Sequence, residues 1–436
     1  MNFIKFAEDI GELSRYKRVM EYISFDNDFK KLYISDRDEA LRSIEMDDID
    51  FERIPKLYDE FVAAKLEMRD GVRENSTPDD YRFAKWRKRQ IKRCEMLYAK
   101  PQSDAVVHLS AAFELSKGCS VGCKFCGLNI GPLEKLFRAT DENKKLWSDV
   151  VDAAAGIIGD SLGQSSCYYG TEPLDNPDLE YYLDDWFGRF GRYGQITTAV
   201  ATRNIDRTHG LLKSLSLSGD TIYRFSVKSI DEFRTIIREF TPEELFLVEL
   251  LPQFEDAPGN MFAKTGRNAE NNEYSGSISC LTGFLINMCE KSIRLITPVE
   301  SSERFPLGQI EVMKEYFADG EEFTEKLKSM ISRMKTILSP SDVLSLYDYL
   351  SYTTEDGKVK IYNKTGTGML FDVSEHKDIL LKILELLREG KYTRKQIADK
   401  IESDLGFTDT IVVFYIINEF WAKGLITDSQ LFYKEA

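Results

Sequence analysis

Histidine is scarce in this chain. Three occur in 436 residues, His108, His209 and His376, so a metal centre built on imidazoles has few ligands to draw on. Long apolar runs are missing too: no uncharged apolar stretch reaches 18 residues, which leaves no candidate transmembrane helix. The opening Met1-Asn-Phe-Ile-Lys-Phe-Ala-Glu-Asp turns acidic at once instead of forming a secretory leader, and the expected compartment is the reducing cytoplasm. Positive charge is in deficit, 58 Lys and Arg against 73 Asp and Glu for a formal charge of −15. That balance argues against a general nucleic-acid binder. Low-complexity segments and internal repeats are absent.

Cysteine is sparse but concentrated. Three of the seven stand as Cys119-Ser-Val-Gly-Cys123-Lys-Phe-Cys126, just after a half-apolar run at 111–116, with Gly118 and Gly122 free to bend the chain. Thiolates are the usual ligands of iron–sulfur clusters, and a four-iron cluster takes four. Three ligands leave one iron open. The competing reading is a closed zinc site, which needs a fourth ligand from Cys94, Cys167, Cys280, Cys289 or a histidine.

The pattern along the chain divides it into parts. Residues 1–105 carry apolar positions at helical spacing and no chemical motif, as a helical cap would. Within them Lys85-Trp-Arg-Lys-Arg89, with Lys92 and Arg93, makes a basic helical stretch. From 106 to 305 strands alternate with helices: strands are expected at 111–116, 164–169, 195–202, 223–230, 245–251 and 275–281. Such alternation builds a parallel α/β sheet with ligands beyond the strands' C-terminal ends. A hairpin is also expected, from 283–288 to 292–298. Residues 306–354 read as a helical connector, and 355–436 as a separate unit of two short strands at 359–362 and 369–373 followed by three helices.

The cysteine triad, with Phe125 before its last member, resembles the cluster motif of the radical S-adenosylmethionine superfamily. A second point of likeness is Gly170-Thr-Glu-Pro173 after the expected second strand, close to that family's Gly-Gly-Glu-Pro turn with Thr171 in place of a glycine. The resemblance implies a partial six-stranded (β/α)6 barrel and one [4Fe-4S] cluster on Cys119, Cys123 and Cys126. It further implies S-adenosylmethionine held by Phe125, Gly170, Thr171, Glu172, Pro173, Thr198, Arg224 and Ser226, and an external one-electron reductant such as flavodoxin or ferredoxin. Arg224 and Ser226 share a strand face by alternation, and Arg224 is able to pair a carboxylate.

The stretch from Leu128 to Pro306, with Asp160–Asp175 (DSLGQSSCYYGTEPLD), Ser279–Phe284 (SCLTGF) and Arg294–Pro298 (RLITP), resembles the proteusin-type peptide epimerases. These convert L-residues to D-residues in ribosomally made precursor peptides. The likeness implies abstraction of an α-hydrogen and return of hydrogen from a thiol, for which Cys280 stands first, Cys289 second and Cys167 third. The polar run 265–273, with Arg267, is read as a clamp for the peptide backbone. No cysteine-rich extension for auxiliary clusters and no cobalamin segment is present. A peptide-crosslinking or backbone-cleaving enzyme, or a non-catalytic peptide-binding cluster protein, are the rival readings. The unit at 355–436 resembles a winged-helix-like leader-recognition domain of such systems; a degenerate structural domain and a DNA-reading helix-turn-helix are its rivals.

Overall fold

The computed structural model describes residues 3–97, 100–218, 221–259, 264–269, 273–372 and 376–428. Residues 270–272 of the polar run, Val373 of the expected last strand and the end of the C-terminal unit lie outside them.

The N-terminal region is helical: α1 Ile10–Phe25, α2 Asn27–Ser35, α3 Arg37–Ser43, α4 Ile54–Asn75, α5 Tyr81–Glu95 and α6 Lys100–Ala105. Asp26, Asp36 and Asp80 cap α2, α3 and α5 by accepting from first-turn amides, which sets where these helices begin. Helix α1 buries Lys17 and Arg18, whose side chains donate to the carbonyls of Leu245 at 3.1 Å and Phe240 at 3.0 Å. Phe25 stacks on Phe233, and Phe61 of α4 on Phe246, each at 4.5 Å between centroids. Rings in this arrangement add about 0.5–1.5 kcal/mol per pair beyond their burial.

The central sheet is built from β1 Leu109–Glu114 outward. The short ladder of β2 Ser116–Lys117 with β3 Lys135–Leu136 follows β1 and frames the cysteine loop. Beyond it come α7 Asp141–Ile158, α8 Leu179–Phe190, β4 Thr197–Thr198, α9 Ile205–Ser218, β5 Tyr223–Val227, α10 Ile230–Glu239 and β6 Val248–Pro252. Strands β4, β5 and β6 pair in parallel, and Ser166 bridges Ala112 of β1 to Gln195, joining β1 to that sheet. Helices α1 and α4 lie over the β6 edge, where Lys65 of α4 pairs with Glu249 at 3.0 Å. Covering it hides the unpaired backbone groups of an edge strand.

The second expected strand is reduced to that single bridge. Ser166 turns its hydroxyl onto Tyr168 O at 2.8 Å, and the preceding 160–164 is a 3-10 turn. The sixth expected strand, 275–281, does not form. Gly276 adopts φ 74° and the Ser277 hydroxyl accepts from Ser279 N, a local turn that breaks an extended ladder. The strand begins where the apolar run does, as β7 Leu281–Asn287, fully buried. It pairs in parallel with β1 on the side away from β4, and continues antiparallel into β8 Ser292–Pro298 and β9 Gln309–Tyr316. The fold is thus mixed α/β, and among the described residues the sheet does not close. In place of the sequential (β/α)6 order it runs β9-β8-β7-β1, then Ser166, then β4-β5-β6. Hairpin β7–β8 turns at Glu290-Lys291, where Lys291 has φ 50°.

The segment 306–354, expected as a helical connector, holds β9, α11 Gly320–Ser332, β10 Ser345–Leu346 and the start of β11 Leu350–Glu355. Strand β11 pairs with β12 Lys358–Asn363, and β12 with β13 Gly368–Phe371, so the C-terminal unit opens on a three-stranded sheet where two strands were expected, and that sheet starts before residue 355. Helices α12 Lys377–Glu389, α13 Arg394–Leu405 and α14 Thr410–Ala422 follow, and β14 Ile426–Thr427 returns to β10. Their core, including Leu380, Leu384, Ile397, Ile417 and Phe420, is separate from that of the main sheet. Helix α5 joins the two. Arg93 donates to Thr297 at 3.1 Å, and Gly424 sits so close that a Cβ there would lie 2.4 Å from Arg93 N.

Strand β7 lies unusually near β1 at one point: a Cβ on Gly283 would stand 1.9 Å from Ser110 O, a backbone atom that cannot swing aside. Gly283→Ala is expected to lower stability by about 1–3 kcal/mol or more. Gly156→Ala, where an added methyl meets nothing on helix α7, should be neutral or stabilising by up to about 1 kcal/mol. Urea unfolding of both variants checks this, and equal stabilities would remove the argument for a forced close approach.

Candidate functional site

The three cysteines lie on an irregular loop beyond β1. Gly118 (φ 78°) has no room for a side chain, because a Cβ would meet Pro132 O at 1.9 Å, and Gly122 takes φ 61°. The loop is held by groups from elsewhere. Arg267 donates from Nε to Asn129 Oδ1 at 3.1 Å, from Nη1 to Cys123 O at 3.3 Å and from Nη2 to Ile130 O, while its own amide donates to Cys126 O at 2.9 Å. Asp175, its side chain 1% exposed, accepts from Ser120 N at 2.8 Å and from the Ser120 hydroxyl, and also from Arg203 at 2.9 Å. Arg267 therefore clamps the cysteine loop itself and not, as expected, a peptide backbone.

Sγ-bearing residues Cys119, Cys123 and Cys126 line one wall of a cavity of about 320 Å³. All seven cysteines are free, and the loop's three are partly exposed. Burial pushes the Cys119 and Cys123 thiols up, Cys123 to about 11 against the pull of the Lys228 ammonium. They must shed protons before they can ligate a metal. Among the described residues no three His, Cys, Asp or Glu side chains are already gathered as a metal-binding group. The donor set nonetheless fits an open-sided cluster better than closed zinc. Three thiols face one space that no histidine lines. His108 is buried against Thr282 at 2.8 Å, His209 bonds Glu244 at 2.6 Å, and His376 packs on Phe407.

Gly170, Thr171, Glu172, Phe125, Arg224, Ser226 and Cys280 line the same cavity. Gly170 is packed onto the cysteine loop, a Cβ there meeting Ile130 and Leu128 at 2.9 and 3.0 Å. Glu172 accepts from Leu174 N at 3.0 Å and Ala199 N at 2.8 Å, tying the turn to β4. Burial raises its carboxyl in spite of these amides. Arg224 is held at Nε by Glu249 at 3.1 Å. Burial alone would raise the Glu249 carboxyl, but the Lys65 ammonium and the Arg224 guanidinium override it and bring it down to about 2.

Four expected residues fall elsewhere. Thr198 is turned into the core, its hydroxyl accepting from Val200 N at 3.0 Å, and Thr197 takes the cavity wall in its place. Pro173 opens a 3-10 turn behind the wall. Cys289 is buried away from the cavity with its thiol on Lys135 O at 3.6 Å. Cys167 is buried too, Gly194 lying against its sulfur. Cys280 faces the cavity, but at the N-terminal end of β7 and not at the C-terminal end of a sixth strand.

The residues that hold the site were less visible. Glu114, 2% exposed at the end of β1, accepts from Gly170 N at 3.0 Å and Asn287 Nδ2 at 3.1 Å. A carboxylate at the end of a mostly apolar strand was the available signal. Tyr169 bonds Ser279 at 2.7 Å beside Cys280, and Lys65 reaches Glu249 from the N-terminal region; neither has a motif.

The chain is 32% identical over 391 residues to "Uncharacterized protein y4wI" of Sinorhizobium fredii, spanning 85% of this chain and 74% of that protein. It belongs to that protein's family. No family model matches. Among solved structures, the crystal structure of BtrN in complex with AdoMet and 2-DOIA is matched over 42% of this chain and 71% of that one, with TM-score 0.30 and 13% identity, a likeness that carries no inference. No helix among the described residues is long and apolar enough to cross a membrane.

The depressed Glu249 carboxyl stabilises the fold above its ordinary value of 4.5, and that contribution is lost as pH falls toward 2. Glu249→Gln should cost up to about 3 kcal/mol at pH 7, with the gap from the parent protein shrinking below pH 4.5. Denaturant unfolding at pH 7, 4 and 3 reads this directly; a gap independent of pH would contradict the assignment.

Proposed function

We propose that the protein is a radical S-adenosylmethionine enzyme that inverts α-carbons in a ribosomally synthesised precursor peptide. The observation that carries this reading is one cavity lined by the three loop thiols, the Gly170–Glu172 turn and the thiol of Cys280, with Cys167 and Cys289 outside it. Cys119, Cys123 and Cys126 would hold one [4Fe-4S] cluster with an iron left for S-adenosylmethionine, and together these groups supply, when bound, an organic radical able to remove an unactivated hydrogen. Arg224, fixed by Glu249, offers N–H groups to a carboxylate or ribose hydroxyl, and the backbone beside Gly170 offers carbonyls.

The chain's own contribution to inversion is Cys280. Burial raises its thiol, although Arg224 pulls the other way, so it stays protonated. That is the form a hydrogen-atom donor needs. Its S–H bond breaks as a C–H bond forms on the opposite face of the α-carbon, leaving a sulfur radical. One electron from an external reductant and one proton from water restore the thiol. The peptide's composition is unchanged, and no second cluster is required. The reducing cytoplasm suits such a centre.

For the C-terminal unit we propose capture of the precursor's leader. Strand β13 is a sheet edge with Leu370 59% exposed, and its Phe371 meets Phe420 of α14, the helix that exposes Ile411 and Tyr415. An extended peptide can add to such an edge and seat apolar side chains beside it. Helix α14 is TIVVFYIINEFWA, with no Lys or Arg, which disfavours it as a reader of phosphates and bases.

The anaerobically reconstituted enzyme is expected to cleave S-adenosylmethionine to 5′-deoxyadenosine, and replacing any one of Cys119, Cys123 or Cys126 by alanine should abolish this. In deuterium oxide each inverted α-carbon should gain one deuterium. Cys280→Ala should retain cofactor cleavage and lose inversion, whereas Cys289→Ala should invert normally. A product without deuterium, or lighter by two hydrogens, would point to crosslinking instead.

Titration of the full-length protein with the leader peptide should give binding that weakens at least tenfold in Leu370→Glu. Salt-dependent binding of duplex DNA with no leader binding would sink the domain assignment.

A further inference from the structure

Among the described residues three charged side chains line the cavity, and each is already engaged. Glu172 accepts from the amides of Leu174 and Ala199, Arg267 donates into the cysteine loop, and Arg224 is held by Glu249, its remaining N–H groups being those offered to the cofactor. The wall around Cys280 is apolar. Leu109, whose amide donates to Cys280 O at 2.9 Å, and Ile278, two residues before the thiol, both line the cavity. Tyr169 lines it too, with its hydroxyl taken up by Ser279 at 2.7 Å and by Gln309, so the ring is what it has left to offer. Behind this wall helix α5 is packed tight: Phe83 meets Phe284 at 4.9 Å, and the buried Arg87 donates to Thr282 O at 3.0 Å. Ile278 is 48% exposed, yet it also rests on the cysteine loop, where a Cβ on Gly127 would lie 2.7 Å from Ile278 Cδ1. A branched apolar side chain thus stands half in water where the Cys280 segment meets the loop.

On the reading proposed above, on which this inference rests, hydrogen leaves one face of an α-carbon and returns from Cys280 on the other. The residue being inverted therefore stands next to Cys280, with its side chain in the surroundings of that thiol. A carboxylate or ammonium brought there would shed its water and find no free partner, whereas an aliphatic side chain would take both its own surface and that of Ile278 out of water. Cavities of this kind orient a ligand with a few polar groups and select it with the apolar remainder. We propose that the residues inverted are those with aliphatic side chains, and that Ile278 is the contact that selects them. The side chain is bound and left unchanged; the bonds that break and form are those at the α-carbon and at the Cys280 sulfur.

The test uses the full-length reconstituted enzyme. Its probes are peptides made of the precursor's leader and a glycine core, with one guest residue, Val, Asp or Lys, placed at each core position in turn. Deuterium taken up at the guest α-carbon in deuterium oxide reads inversion, and equilibrium binding of the same peptides reads selection without chemistry. At the positions where Val is inverted, Asp and Lys should be slower by about tenfold or more in kcat/KM and should bind more weakly. Ile278→Ala should raise KM for Val several-fold with little change in kcat. Ile278→Lys should raise the ratio of Asp to Val by about tenfold or more. Taking that ratio within one protein cancels any effect of the new ammonium on the thiol. Inversion of Asp or Lys within about threefold of Val would overturn the proposal, and so would guest ratios unchanged in both Ile278 variants. If S-adenosylmethionine is cleaved and no guest takes up deuterium, the proposed inversion fails instead, and the binding ratios of the parent protein and Ile278→Lys still decide the side-chain preference.

Discussion

The cysteine loop has almost no secondary structure of its own, and everything proposed for the cavity depends on two charged side chains that hold it from outside. Arg267 spends its guanidinium on three backbone or side-chain acceptors of the loop, and Asp175 fixes Ser120 next to the first cysteine. A loop that presents thiols to one space cannot satisfy its own carbonyls with a ladder, since its curvature points them outward. A planar cation with donors in several directions is suited to that task. The cavity's remaining walls follow from this anchorage: Gly170 packs on Leu128 and Ile130 of the loop, Gly170 N is fixed by Glu114, and Glu114 in turn binds Asn287 on β7.

Much of this was legible in the sequence wherever short-range spacing carries the information. The cysteine triad, the bend glycines, the Gly170–Pro173 turn and the β7–β8 hairpin are all contiguous motifs, and the helices declare their starts through Asp and Thr caps. What could not be read was pairing between distant strands. The run 275–281 has strand-like alternation, but Gly276 and Ser277 favour a local turn, and β7 pairs with β1 rather than following β6. Alternation also left Thr197 and Thr198 indistinguishable without knowing which way a two-residue strand is rolled. Lys65, Glu249 and Arg224 converge from three separate elements, a juxtaposition that only the packed fold reveals.

The N-terminal region is more than a cover. It supplies Lys65 to the charge cluster behind the cavity, seals the β6 edge, and provides in α5 a helix that packs on both the main sheet and α14. The segment 299–308 plays a similar joining part at the other side. Glu300 accepts from Gly276 N at 3.2 Å on the segment leading to Cys280 and from Lys364 at 2.9 Å on the β12–β13 turn, while Pro306 O accepts the amide of Gly266 at 2.7 Å, next to Arg267. Parts of the chain that differ in composition and predicted structure thus share anchoring atoms.

The seat of Gly424 on the α5 backbone bears on how such proteins can diverge. A unit joined by a flexible linker can be exchanged by recombination at the linker, leaving each half intact. Here the turn after α14 fits against Arg93 with no space for even one methyl group, and Asn363 reaches back to Met96 O at 2.9 Å. A foreign C-terminal unit would have to arrive with an α5 shaped to receive it. The C-terminal unit and the wall behind Cys280 are therefore inherited as a single piece.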